Sequence, residues 1–156
     1  NIPREITAQV AREGFASLRP EQVEALGPVT CQVDPVYEDF IRRALGGHGQ
    51  HGASFTHFCE AQLLWDAAMA QRLRNYLEEH PNTTVVVLAG SGHSWKYGIP
   101  ARLGLPPDRY TVVLPEVPRL SRQEATPADA DYLWLDTGPQ GWQSPAPGTI
   151  SLDKSR

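Results

Sequence analysis

The stretch "TVVVLAGSGHSWKYGIP", residues 84–100, ends an apolar run at a glycine and sets a histidine three residues beyond it. In open parallel sheets ligands sit past the carboxyl ends of strands, where loops and helix N-termini replace paired backbone. Gly90 and Gly92 stand at such an end, and without side chains they let a ligand or metal approach His93. That imidazole could ligate a transition metal or take a proton as a general base. Tyr97 follows four residues later, and a phenol can ligate ferric iron or donate a hydrogen bond to a bound anion. The plainer alternatives are a histidine that only bonds turn backbone, and packing of Trp95 and Tyr97 over the loop. "GSGH" is not a nucleotide fingerprint, because the GxGxxG spacing and a regular helix after it are both missing.

Gln62 and Asp66 are four apart on a helical stripe that also carries Phe55, Phe58, Cys59, Met69 and Leu73. Burying a lone carboxylate costs several kcal/mol, roughly, so Asp66 must meet a cation, N–H groups or water in a cleft. Either the pair pins this helix to its neighbours, or the helix is a wall of the pocket that His93 enters, with Gln62 and Asp66 lining it. A looser set lies in "HGQHGASFTH", where His48 and His51 could hold a metal or an iron porphyrin, or simply be surface histidines. His80, near a helix C-terminus, has favourable dipole interaction as its simplest role. No Ser-His-Asp set, P-loop or HExxH motif is present, and Ser91 or Ser94 beside His93 makes no nucleophile elbow.

These residues depend on elements that the sequence also announces. Residues 1–14 read as a short helix with Pro3 in its first turn, Ile6 and Val10 on one face and Gly14 as a left-handed stop. Residues 19–27 give a second, ending at Gly27, and residues 34–47 a third, with Asp34 as cap and Val36, Phe40, Ile41 and Leu45 sharing a face. The main helix covers residues 54–80, capped by Ser54 and ended by Pro81. "TTVVVLAG", residues 83–90, predicts a short, fully buried strand of the parallel type, and residues 109–117 and 131–137 supply two more strands. The connections at 115–127 and 138–148 are rich in proline and glycine.

The fold class expected is α/β, a mostly parallel sheet flanked by helices. Three strands behind a purely helical first half make a thin sheet, which reads as incomplete at the N-terminal side and open to completion by a second chain. All 156 residues, 40% of them hydrophobic, form one domain on this reading, the C-terminal part of a larger one. With 18 acidic against 14 basic residues and a net charge of −4, there is no basic stripe for nucleic acid. No apolar stretch approaches the roughly 20 residues that cross a bilayer. Cys31 and Cys59 are too few for a disulfide framework and read as buried thiols, a single bridge staying open for an exported chain.

Three ordered blocks, "NIPREI…VAREG", "FCEAQLLWDAAMAQ" and "VVVLAGSGHSWKYGIPARL", resemble the ChaN-like family of bacterial haem-binding lipoproteins, part of a wider group with the Tiki proteases and erythromycin esterases. The blocks span residues 1–103, and the remainder matches only loosely. The resemblance implies an α/β fold, membrane-anchored export to the periplasm or outer membrane, and haem held at a homodimer interface by tyrosine and histidine. His93 and Tyr97 fall in the matching block and are the first choices for haem binding, with His48 and His51 second. One departure is that family members carry a GExH motif in an N-terminal half, and this chain has none. The leading expectation is thus a haem-binding protein of bacterial iron uptake. A rival is a metal-dependent hydrolase using His93 as ligand or base with Asp66 orienting it, which the lack of GExH weakens. The third is a non-catalytic fragment stable only as a dimer.

Overall fold

Residues 2–27, 33, 35–44, 52–116 and 125–135 are described by a computed structural model of the chain. The longest element is α4, Ala53–Glu79, about 40 Å of helix at 1.5 Å per residue. Spacings of three and four put Phe55, Cys59 and Leu63 on one buried stripe, and Ala61 and Leu64 on another. Other elements pack on both. The N-cap is Gly52 and makes no side-chain cap bond, so Ser54 lies inside the first turn and is not the cap expected of it. His80 closes the helix ahead of Pro81.

Helix α1, Arg4–Glu13, packs along α4 and buries Thr7 and Val10. Pro3 is its N-cap, one position ahead of the expected first turn. Gly14, with φ of 85°, ends it in a conformation that costs glycine little, and a side chain there would also meet the His57 ring at 2.8 Å. The chain turns through a short 3-10 segment, Phe15–Ser17, whose first amide is held by the Glu60 carboxylate of α4 at 2.8 Å. Helix α2, Pro20–Leu26, follows and stops at Gly27 as expected. Ile2, Val10 and Leu18 join Ala61 and Leu64 in the core between α1 and α4.

Helix α3, Pro35–Ala44, covers the other stripe of α4. Its buried face is Tyr37, Phe40 and Ile41, whereas Val36, expected on that face, is 60% exposed. Phe40 and Ile41 are buried as expected, and Tyr37 takes the place expected of Val36, since an aromatic ring covers more apolar surface than a valine does. Phe40 contacts Tyr37 edge-on at 5.6 Å between ring centres and Trp95 at 5.3 Å. Asp34, Leu45, Gly46, Cys31 and the loop with His48 and His51 lie outside the described residues.

The sheet is smaller than expected. It consists of β1, Val113–Pro115, and β2, Tyr132–Trp134, paired in parallel with Leu114 opposite Leu133. Both lie within predicted strands, and Leu114 enters the core beneath α3 and α4. The buried strand expected at residues 83–90 is not found. Those residues take no strand partner among the described residues, and Val86, Val87 and Leu88 are 81%, 47% and 93% exposed. The β-branched run gives the segment its extended preference, but without a strand partner among the described residues Val86, Val87 and Leu88 stay exposed, and only Ala89 at its end packs against Ala70, Ile99 and Leu103. Helix-rich with a two-stranded parallel sheet, the architecture is α/β in the broad sense. Two short helices, α5, Ser91–Ser94, and α6, Ile99–Arg102, connect this segment to β1, and Ile99 and Leu103 pack on Ala70 of α4. None of the described helices is long and apolar enough to cross a membrane.

Candidate functional site

Three elements converge on Asp66. It projects from the middle of α4 and is fully buried. One carboxylate oxygen, Oδ2, accepts the Tyr37 hydroxyl from α3 at 2.8 Å, and the other, Oδ1, lies 2.7 Å from Nδ1 of His93 in α5. An ionised Asp66 accepts from both, which in the neutral ring puts the proton on Nδ1 and leaves the lone pair on Nε2. That nitrogen has no hydrogen-bond partner among the described residues, and the His93 side chain is 25% exposed. Burial pushes the Asp66 carboxyl above the usual range, opposed by His93, Tyr37 and the charge of Arg102. Burial also raises the Tyr37 phenol, with the Asp66 charge adding to it, so Tyr37 remains a donor.

The turn that presents His93 is fixed from several sides. Trp95, two residues on, is buried in the main core with Phe40. Lys96 donates its amide to the Asp129 carbonyl at 3.0 Å, and its ammonium reaches the Pro127 carbonyl and the Asp131 carboxylate. Asp129 is itself buried, bonded to Thr126 and paired with Arg43 of α3 at 3.1 Å. Gly98 closes the turn by donating to the Trp95 carbonyl at 2.9 Å. A Cβ on Gly98 would stand 2.4 Å from the His93 carbonyl oxygen and 2.8 Å from its carbon, so only glycine fits so near this backbone. Ser94 turns its hydroxyl back to the Ala89 and Gly90 carbonyls.

The predicted residues separate into several places. His93 and Asp66 come together in one hydrogen-bonded pair. Gly90 and Gly92 flank His93 with ordinary negative-φ backbone, so what they supply is space and not turning freedom. A Cβ on Gly92 would meet nothing within 4 Å, and one on Gly90 would lie 3.9 Å from Cδ2 of the His93 ring. Gln62 faces the other way, lining a shallow pocket between α1 and α4 with Arg4, Thr7 and Trp65. Tyr97 stacks on Phe40 at 5.5 Å and 27° and lines a different pocket of about 380 Å³ with Pro35, Val36, Tyr37, Ala101 and Arg102. His93 does not line that pocket, though the Tyr37 ring is shared between its wall and the Asp66 bond. His57 bonds the Arg12 carbonyl, and His80 packs edge-on against Tyr76 at 4.3 Å. Among the described residues no three His, Cys, Asp or Glu side chains gather as a metal site would require.

Tyr37, Gly98 and Arg102 were not singled out from the sequence. For Tyr37 the signal was there, since Phe40 and Ile41 stand three and four residues beyond Tyr37, whereas from Val36 they stand four and five. Gly98 shows its importance only through contact with a backbone five residues away.

A family model described as haem-binding uptake, Tiki superfamily, ChaN, matches residues 1–103, which contain Tyr37, Asp66, His93, Tyr97 and Arg102. No curated protein and no solved structure matches the chain.

Proposed function

Since this chain belongs to the haem-binding uptake family of the Tiki superfamily that includes ChaN, we propose that it binds haem through His93. The observation that carries the reading is an imidazole whose Nδ1 is held by a buried carboxylate at 2.7 Å while Nε2 stays unpartnered. A neutral imidazole so oriented is a common axial donor to haem iron, and a carboxylate behind it raises its basicity. The surroundings support it, because the residue beside Cδ2 of the ring is Gly90, whose Cβ would lie only 3.9 Å away. Bound haem would supply an iron centre that accepts such a donor; the protein's part is to fix the ring, keep the proton on Nδ1 and hold Asp66 through Tyr37. Tyr97 is the second donor. In the same reading the protein serves bacterial iron uptake, is exported to the periplasm or outer membrane, and works as a homodimer.

Hemin titration of the purified protein tests the proposal. A saturable Soret shift is expected, abolished in His93→Gln, which keeps a partner for Asp66 but lacks an imidazole lone pair. A shift of unchanged position and stoichiometry in His93→Gln refutes His93 as the ligand, and Tyr97→Phe then tests the phenol. The hydrolase reading is favoured by the same Asp66–His93 pair, which could act as a general base on water. Turnover of an ester or peptide panel, lost in His93→Gln, would favour it.

A further inference from the structure

Arg102 is at odds with the other arginines near it. Arg42 and Arg43 of α3 each reach a carboxylate, Arg42 to Glu38 and Asp39 and Arg43 to Asp129. The Arg102 side chain has no acceptor among the described residues, and its Nε, like that of Arg42, is buried without a hydrogen-bond partner. Its guanidinium lies over the Tyr37 ring, 5.3 Å from the centre. The backbone beneath it is held firmly, because Arg74 of α4 donates to the Arg102 carbonyl and Ile99 and Leu103 are sunk against Ala70. A planar cation is thus kept in place, partly desolvated and unpaired, at the wall of a pocket of about 380 Å³.

The rest of that wall determines what could meet the cation. Two aromatic rings, Tyr37 and Tyr97, stand beside Pro35, Val36 and Ala101, and no acidic side chain lines the space. The Asp66 carboxylate lies behind the Tyr37 hydroxyl and already has two partners, Tyr37 and His93. Guanidinium groups bind planar oxyanions in a paired, two-bond geometry, and aromatic and aliphatic walls favour a flat apolar body. The volume is at the small end of the roughly 300–1,000 Å³ of small-molecule pockets, enough for an edge of a large ring system.

We infer that the pocket walled by Tyr37, Tyr97 and Arg102 is a carboxylate subsite, in which Arg102 pairs with an acid group on a flat, largely apolar organic ligand. It deepens the haem reading, on which it rests for the identity of that ligand, since the porphyrin of haem carries two propionates. Recognition of the acid is separable from ligation of iron.

Metal-free mesoporphyrin IX and its dimethyl ester, followed by fluorescence with the whole chain, make that separation. The free acid is expected to bind wild type more tightly than the ester by roughly tenfold, the factor a charge-assisted hydrogen bond carries. Arg102→Gln should lose that factor for the acid and leave the ester unchanged, and Arg102→Lys should fall between. Equal binding of acid and ester by wild type, which needs no variant, overturns the inference, as does no binding of either. Displacement of the acid by inorganic phosphate at equal concentration overturns the assignment to an organic carboxylate. If the hemin spectrum ignores His93 while acid over ester discrimination follows Arg102, the haem-ligation reading fails and the subsite stands.

Discussion

Replacing Gly98 by alanine should damage the site out of proportion to the one methyl added. The new Cβ would sit 2.4 Å from the His93 carbonyl oxygen, 2.8 Å from its carbon and 3.2 Å from its Cα. Ordinary contact between such atoms is roughly 1 Å longer than the shortest of these. All three atoms are backbone, so no rotamer relieves the clash; either α5 or the start of α6 must move. Overpacking of this kind costs about 1–3 kcal/mol. A shift of α5 also draws His93 off Asp66, leaving a buried carboxylate short of one partner at about 1–3 kcal/mol more. The expected loss is therefore roughly 2–6 kcal/mol, a fall in Tm of about 4–24 °C for a chain of this size. Gly92→Ala is the matched control, because its Cβ would meet nothing within 4 Å and its φ is not positive. That variant should stay within about 0.5 kcal/mol of wild type. Urea unfolding of the three proteins decides the matter. If Gly98→Ala unfolds within about 0.5 kcal/mol of Gly92→Ala, the close approach is wrong, and with it the account of how His93 is held.

Leu88, at 93% exposed, should accept lysine with a change in unfolding free energy within about 0.5 kcal/mol, and a loss above about 2 kcal/mol would show the segment to be buried in solution. The Lys96 ammonium, and then the Val112 amide, hold the Asp131 carboxyl below its ordinary 3.8. A lowered folded value means stability that is present above pH about 4 and lost as pH falls through that value. Lying at the surface with its side chains 25% and 34% exposed, the pair is worth about 0.2–1 kcal/mol, so Asp131→Asn should be less stable by that amount at pH 7 and the gap should narrow in acid. Burial raises the Cys59 thiol to about 11. In a Cys31→Ser background it should resist a thiol reagent in the folded protein and react at once in urea; prompt reaction without urea would refute its burial.

How far these features were legible follows from what each residue needs. Periodicity alone located α4, because spacings of three and four fix a helix face whatever lies against it. The stops at Gly14 and Gly27 were equally local, and both glycines have positive φ. Asp66 drew notice as a carboxylate on an apolar face, and its partner His93 as an imidazole beyond an apolar run. That Asp66 orients His93 stood in the sequence as one alternative only, since 27 positions separate them and the packing of α5 on α4 is what closes the gap. Gln62 illustrates the limit on a finer scale. Four residues along a helix is about 40° more than one full turn. Such an offset is small for a broad apolar face, but it is enough to aim Gln62 at α1 and Asp66 at α3 and α5.

The run at residues 83–90 shows why hydrophobicity and burial are different kinds of information. Val, Val, Val and Leu in sequence express a gain available on burial, about 1.5–3 kcal/mol for each large side chain. Realising that gain requires neighbouring strands to supply both backbone partners and side-chain contacts, and those are encoded elsewhere in a sequence. The described residues provide one parallel pair, β1 with β2, and its outer side chains Val113, Tyr132 and Trp134 are 52%, 65% and 74% exposed. Apolar surface at Val86 and Leu88 and at this pair is thus left open, while the turn between them is fixed by Trp95, Lys96 and Gly98. His93 owes its placement to Asp66 and to that turn, which packs on β1 through Trp95 and Leu114. The site therefore stands in the described residues without the strand that the sequence put in front of it.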